Sequence, residues 1–291
     1  MAWQGINEAG RVAREQHGGK ALFGVVSGAD VKHKTGSHVD MNSINLIVGA
    51  TAANRMDAGE LDVGAFIEYG NGHYDTHNSF ANAASVKGDG RTRHWGGGIL
   101  GRFDFNAQDA GNFYVEGSAR AGRVRNHYKS GLMDTLGRYA NFKSSAGYAS
   151  MHLGGGYRFN ITETSNLNLY GQYFYTRVGG DNVRLSTGDP VKFKAVDSNR
   201  VRLGGRYEWT LDNVTPFAGV AFEREFSGKA RASTNGYEID RPSLKGSVGI
   251  VEGGLIMKPD PTHPLSVNVG LQGYFGKQKG VGGNVKVKYE F

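Results

Sequence analysis

From residue 20 to the C-terminus, apolar and polar residues alternate in long segments that recur along the whole chain. A period of two sends successive side chains to opposite sides of a β-strand, so each segment carries one apolar and one polar face. The pattern predicts twelve strands: 20–34, 38–52, 59–71, 91–105, 112–127, 146–160, 165–178, 196–210, 214–227, 245–258, 264–277 and 281–291. Most exceed the roughly 5–6 residues usual in soluble sheets.

In "ELDVGAFIEY" Leu61, Val63, Ala65, Ile67 and Tyr69 oppose Glu60, Asp62 and Glu68. In "SNLNLYGQYFY" Leu167, Leu169, Tyr173 and Tyr175 oppose Asn166, Asn168, Tyr170 and Gln172. In "NRVRLGGRYEW" Val201, Leu203, Tyr207 and Trp209 oppose Arg200, Arg202, Arg206 and Glu208. A soluble sandwich would turn the apolar face inward and cover it with a second layer. A membrane barrel turns that face to lipid and keeps a polar lumen.

The connections favour the barrel. After even-numbered strands they are short: near Asn54–Asp57, Asn106–Gly111, Asn160–Thr164, Leu211–Asn213 and "KPDPTHP". After odd-numbered strands they are mostly long, at 72–90, 128–145, 179–195 and 228–244, with short exceptions near Gly36 and Lys279. Short turns at one end and long loops at the other are the outer-membrane pattern. No open edge can face lipid, so the first and last strands must pair. Aromatics stand near strand ends (Trp95, Phe103, Phe105, Phe159, Tyr173, Tyr175, Trp209, Phe226, Tyr289 and Phe291), as at a headgroup boundary.

Composition agrees. Glycine is abundant at 46 residues and proline scarce at 6, while 14 Tyr and 15 Phe supply aromatics, a β-barrel profile. The mean hydropathy is only −0.45, and the longest apolar runs, such as "INLIVGATAA", are too short for a membrane helix. Cysteine is absent, which excludes disulfides and thiol metal sites and suits a chain crossing an oxidising compartment unfolded. The net charge of +7 comes from 34 bases interleaved with 27 acids, not from the clustered bases of a nucleic-acid binder. "MAWQGINEAGRVAREQ" lacks the apolar core of a signal peptide, so the chain is expected to be a mature or truncated fragment, or not exported.

Residues 3–16 are the one helical-looking stretch, ended by "HGG" at 17–19. Glu8–Arg11 and Arg11–Glu15 have the spacing of helix-surface ion pairs, and Arg14 adds a further charge. Twelve strands about 4.8 Å apart and tilted near 40° enclose a lumen of roughly 10–12 Å, the width of one helix. The expected lumen wall offers acids (Asp62, Glu68, Asp104, Glu116, Glu223 and Glu252) and bases (Arg102, Arg120, Arg158, Arg200, Arg202 and Arg206) as partners for that helix.

These features resemble the C-terminal translocator domain of a bacterial autotransporter, of type V secretion: a short helix, a glycine break, twelve amphipathic strands and a closing "VKVKYEF". The resemblance implies an all-β fold, a 12-stranded antiparallel transmembrane barrel with a short N-terminal α-helix in its lumen. It divides the chain into a linker helix at 1–18 and a Gram-negative outer-membrane barrel at 19–291. It further implies an N-terminal passenger, lying upstream of Met1, carried to the cell surface by a monomeric barrel. Val287, Tyr289 and Phe291 would face lipid and form the assembly signal read by the barrel-assembly machinery, with periplasmic chaperones and lipopolysaccharide as further partners. Some members cut the passenger inside the barrel at paired asparagines, whereas this segment has Asn7 followed by Glu8.

Two other readings stay open: a diffusion channel whose arginine-rich lumen selects anions, and a barrel hydrolase. For the latter, "GHYDTH" offers His73, Asp75 and His77 at a spacing that could bind metal or serve an outer-membrane protease, but no second acidic pair is evident and polar residues in a solvated loop account for it better. No lipase-type Ser/His/Asn set can be picked out, and "GGDNVRLSTGD" lacks the Lys-Ser/Thr of a phosphate loop. "WGGGILG" reads as small residues easing strand curvature. No catalytic residue, metal or cofactor is expected.

Overall fold

The computed structural model describes residues 19–79, 84–239, 242–258 and 264–291. The linker segment 1–18, with Glu8, Arg11, Arg14 and Glu15, lies outside the described residues.

Twelve strands close into one antiparallel barrel. They are β1 (Gly19–Lys34), β2 (His38–Met56), β3 (Gly59–Asn78), β4 (Val86–Phe105), β5 (Gly111–Ser130), β6 (Phe142–Thr162), β7 (Ser165–Val178), β10 (Val196–Trp209), β11 (Val214–Glu225), β14 (Gly246–Met257), β15 (Leu265–Gly276) and β16 (Gln278–Glu290). Four short strands lie in the connections: β8 (Asp181–Arg184), β9 (Pro190–Phe193), β12 (Ala232–Thr234) and β13 (Tyr237–Ile239). Each of the twelve predicted strands corresponds to one barrel strand.

Neighbours in sequence are neighbours in the wall, and β1 pairs with β16 from Ala21↔Glu290 to His33↔Gln278. Beyond that ladder the Phe291 amide donates to the Lys20 carbonyl at 2.8 Å, so the C-terminal residue is tied into the seam. Closure leaves no edge exposed, as a wall in contact with lipid requires.

Both ends of the described barrel sequence, Gly19 and Phe291, sit with the short connections at what we call the turn end. The β10–β11 turn is closed by mutual Leu211–Val214 backbone bonds of 2.8 Å. There Asp212 takes φ 46°, a left-handed conformation that Asp tolerates better than bulkier residues. At the opposite loop end the wall is uneven. Strands β2 to β6 have 19–21 residues, whereas β11, β14 and β15 have 12. At about 3.3 Å per residue and 40° tilt, the difference is roughly 20 Å of height.

This height changes two expected loops. The stretch 72–90 is largely strand and 128–145 is strand at both ends, because β3 to β6 continue past the apolar belt. The other two long connections are folded rather than open: their hairpins join as a four-stranded sheet, β13-β12-β9-β8. The β5–β6 loop packs on it, with Arg138 Nη2 donating to the Thr187 carbonyl at 3.0 Å and the Phe142 and Phe193 rings 5.2 Å apart.

The outer surface carries the apolar residues. Ile67, Ile99, Leu153, Leu203, Val220 and Leu271 are all exposed there, and their lumen-facing neighbours are not. Aromatic pairs stand at the turn end, including Phe103–Phe105 at 4.8 Å, Tyr157–Phe159 at 4.5 Å and Tyr289–Phe291 at 6.4 Å.

Candidate functional site: the barrel lumen

Because β-strand side chains alternate, the polar half of each segment converges on the interior. The charged residues meet there as pairs and small networks. Arg102 donates to Asp104 (2.5 and 2.6 Å) and to Glu116 (3.0 Å), and lies 3.7 Å over the Tyr114 ring. Arg120 reaches Glu68 at 2.5 Å, and the Tyr148 hydroxyl donates to the same carboxylate. Arg202 forks onto one Glu223 oxygen (3.0 and 2.7 Å), while Arg200 takes the other at 3.2 Å. Arg206 donates to Glu252 at 2.8 Å and lies 3.9 Å over Phe217. Arg158 approaches Glu208 at 3.8 Å. Asp62 is buried and faces Arg102 across the β3–β4 ladder.

Most of these groups sit under a tenth exposed, where an unpaired charge is expensive and paired, hydrogen-bonded geometry is required. The pairs span strands: Glu68 on β3 meets Arg120 on β5, and Glu223 on β11 meets Arg202 on β10. They therefore brace the wall as well as line it. Sequence reasoning did not single out Glu208, Glu225, Gln172, His152 or Tyr148 as partners. Gln172 donates to Glu116 at 2.8 Å and Ser198 to Glu225 at 2.5 Å. Their signal was present in the alternation, since each lies on its strand's polar face, but the neutral ones carry no charge to mark them, and which arginine or hydroxyl meets Glu208 or Glu225 depends on register.

The lumen is not polar throughout, as the barrel reading expected. Phe23, Val25, Ile47, Phe66 and Leu100 form a buried cluster on the inner face of β1 to β4. A second, Val31, Val248, Ile250 and Tyr274, lines β1, β14 and β15. Glycines make room for these rings. A Cβ added at Gly98, within "WGGGILG", would meet Phe66 Cζ at 2.8 Å and Arg120 Cβ at 2.7 Å. Here glycine serves close packing of lumen side chains. Toward the loop end the lumen encloses a cavity of about 510 Å³, with this second apolar cluster facing Arg200, Arg202 and Glu223.

At the seam, Lys286 and Lys288 point inward and are 1% and 0% exposed, while Val287, Tyr289 and Phe291 are exposed on the outer surface. Lys288 pairs with Glu290 at 2.6 Å. His73 and His77 stand on the outer wall of β3 rather than in a loop, where His73 lies 3.7 Å from Asp75 and His77 stacks on His38. No group of metal-binding side chains occurs among the described residues.

The sequence profile of the autotransporter β-domain matches residues 23–270. The chain belongs to the autotransporter β-domain family. As an autotransporter domain it has the fold of an outer-membrane translocator, a transport fold rather than a known catalytic one, in a family whose barrels carry an N-terminal passenger. Among solved structures it resembles the transport unit of autotransporter AIDA-I from Escherichia coli, with TM-score 0.77, 15% identity and coverage of 95% of this chain and 91% of that one. The β-domain of the Bordetella autotransporter BrkA gives TM-score 0.70 and 17% identity, over 94% and 100% of the two chains. The translocator domain of NalP from Neisseria meningitidis gives 0.70 and 13%, over 99% and 95%. Curated protein sequences yield no significant match.

Proposed function

We propose that this autotransporter barrel resides in the outer membrane of a Gram-negative bacterium and supports export of a passenger attached at its N-terminus. Residues 1–18 then form the linker that remains in the lumen and residues 19–291 the monomeric barrel. The observation that carries this reading is the family match over residues 23–270 on a closed barrel with charges paired inside and an apolar belt outside. In it, Asp62, Glu68, Asp104, Glu116, Glu223 and Glu252, with Arg120, Arg158, Arg200, Arg202 and Arg206, offer the linker hydrogen-bonding partners. Phe291, exposed beside Tyr289 and Val287, serves as the terminal signal for the barrel-assembly machinery, after delivery by periplasmic chaperones. Lipopolysaccharide surrounds the outer rim.

The test is to place a signal peptide and a reporter domain before residue 1 and assay the reporter on intact cells. Surface protease sensitivity of the reporter is the expected result. A folded barrel whose reporter stays in the periplasm would overturn the proposal. Conductance in planar bilayers separates translocator from diffusion channel: the intact chain should conduct weakly and a chain beginning at Gly19 strongly, whereas a porin predicts no difference.

A further inference from the structure

The outer wall of β4 and β5 carries four arginines that the lumen does not use. Along β4 the outward residues run Phe105, Phe103, Gly101, Ile99, Gly97, Trp95 and then Arg93 and Arg91. Ten residues separate Phe105 from Trp95. At about 3.3 Å per residue and a 40° tilt they rise roughly 25 Å, the height of an outer-membrane apolar band. Arg93 is thus the first outward charged residue above the belt on its strand, toward the loop end, the end that faces the cell exterior in outer-membrane barrels. Across the ladder, Arg123 stands opposite Trp95, Arg125 opposite Arg93, and His127 opposite Arg91. All four arginines are exposed.

This arrangement is costly as it stands. Directly opposed residues have Cβ atoms about 4.5–5.5 Å apart, and like charges there repel. Among the described residues, no acid forms an ion pair or hydrogen bond with Arg91, Arg93, Arg123 or Arg125. Arg125 lies 4.8 Å over the Trp95 ring. The flanking residues in the Arg93–Arg125 row are Asn71 and Ser145, both neutral. The outward acids Asp75 and Asp89 stand a row higher than Arg91, away from the belt. At the loop end of β7 and β10 the pattern differs: Arg177 meets Asp197 at 3.1 Å, and the Tyr175 hydroxyl donates to the same carboxylate at 2.8 Å. Among the described residues, a cluster of outward arginines without an acidic partner therefore sets the β4–β5 face apart from the β7–β10 face.

A second feature lies directly below it. Next under the arginines, the outward positions are Gly97 opposite Ala121, then Ile99 opposite Ala119, then Gly101 opposite Gly117. Five of these six positions are Gly or Ala, so around Ile99 the apolar belt carries little side-chain bulk, beneath a group of guanidinium forks suited to bidentate phosphate binding. We infer that this face of β4 and β5 seats a phosphorylated glycolipid of the outer leaflet, its phosphates bridging Arg93 and Arg125 with Arg91 and Arg123 alongside, and its acyl chains lying over Gly97 and Ala121. The assignment rests on the reading of the chain as an outer-membrane barrel. It supplies the missing counter-charge and explains why like charges are tolerated side by side.

The test uses the full chain, folded in an uncharged detergent, with native mass spectrometry counting bound lipid. Bisphosphorylated lipid A should bind about tenfold or more tightly than the same lipid stripped of phosphate, the scale of a charge-assisted hydrogen bond. Arg93→Gln with Arg125→Gln should abolish that preference, Arg93→Lys with Arg125→Lys should keep part of it, and Arg224→Gln on the opposite wall should leave it intact. Equal binding of the two lipids to the unaltered chain overturns the site without any variant. Displacement of lipid A by millimolar inorganic phosphate overturns it as well, because the face would then be a free-anion site. Heat-dependent gel migration, checked on every sample, reports barrel folding. A folded chain without phosphate preference sinks the lipid seat alone, whereas a chain that never folds into a barrel sinks the reading beneath it.

Discussion

Arginine appears in two settings on either side of one wall. Inside, Arg102, Arg202 and Arg206 are under a tenth exposed, and each meets a carboxylate within 3.0 Å. Outside, Arg91, Arg93, Arg123 and Arg125 are exposed and meet none among the described residues. The inner ones occupy a crowded space where water is scarce, so the protein must provide the counter-charge. The outer ones sit where the apolar belt ends, and their counter-charge can come from the membrane. The same side chain is thus a structural brace on one face and an available binding group on the other. The period of two decides which.

The largest effect should come from breaking an inner pair. Glu223→Ala removes the carboxylate that Arg202 holds at 2.7 and 3.0 Å. Leaving a buried charge uncompensated costs about 3–5 kcal/mol, measurable by urea unfolding in lipid vesicles. Removing both partners, as Glu223→Leu with Arg202→Met, should recover most of the loss. If the single variant unfolds like the parent, the inner charges are solvated and the contrast between the faces collapses.

Next in size is a charge placed on the outer face within the belt. Leu203 lies outward on β10, six residues from Trp209 at the turn end and six from Asp197 at the loop end. Leu203→Arg should cost about 2–4 kcal/mol at mid-membrane depth, by the same unfolding assay. A loss below about 0.5 kcal/mol would move the belt away from Leu203 and with it the boundary that places Arg93 at the headgroups.

Much of this was legible in advance. The alternation gave the strand number, the closing seam and the inner or outer side of residues such as Glu68, Leu203 and Tyr289. It could not give the apolar clusters of the lumen. In "ALFGVVSGADV" both faces of β1 carry apolar residues, so Phe23 and Val25 show the same period as the lipid-facing Leu22 and Val26. Nor could it give pairings such as Glu68–Arg120, which skip a strand and depend on register and on the room left at Gly96 and Gly98. Nor does it reveal the loop hairpins β8–β9 and β12–β13, because segments of three or four residues are too short to establish a period. The outer arginines were visible in "RTRHW" and "RVRNH", but their significance needed the register that sets Arg93 against Arg125.

A smaller effect should come from relieving the outer repulsion. Arg93→Gln removes one of two directly opposed like charges, which should stabilise the barrel by about 0.2–1 kcal/mol in an uncharged detergent. With lipid A present the sign should reverse, because the variant then loses a favourable contact. Stabilisation of equal size in both conditions would mean that no anion bridges the pair, leaving the outer arginines merely tolerated.

The smallest effect belongs to a charge pair that has neither burial nor membrane. In the β5–β6 loop, Asp134 accepts backbone amides from Arg138 and Leu136, both at 2.9 Å, and the Arg138 guanidinium at 2.8 Å. The Arg138 amide first, and then its side chain, hold the Asp134 carboxyl below the usual carboxylate range. A lowered folded-state pKa means that the loop is stabilised while Asp134 is ionised, above its ordinary value of about 3.9. That stabilisation is lost as the pH falls through the lowered value. Amide exchange at Leu136 and Arg138 should therefore quicken at the acid end of the range, beyond the intrinsic pH dependence, while the Glu223–Arg202 strands stay protected. Asp134→Asn should exchange at the faster rate throughout. The global unfolding midpoint should hardly move in that variant, because solvent screens exposed pairs and they contribute little to stability. A midpoint shift as large as that of Glu223→Ala would show that the loop braces the wall as firmly as the lumen pairs do, and that burial is not what separates the two classes of charge.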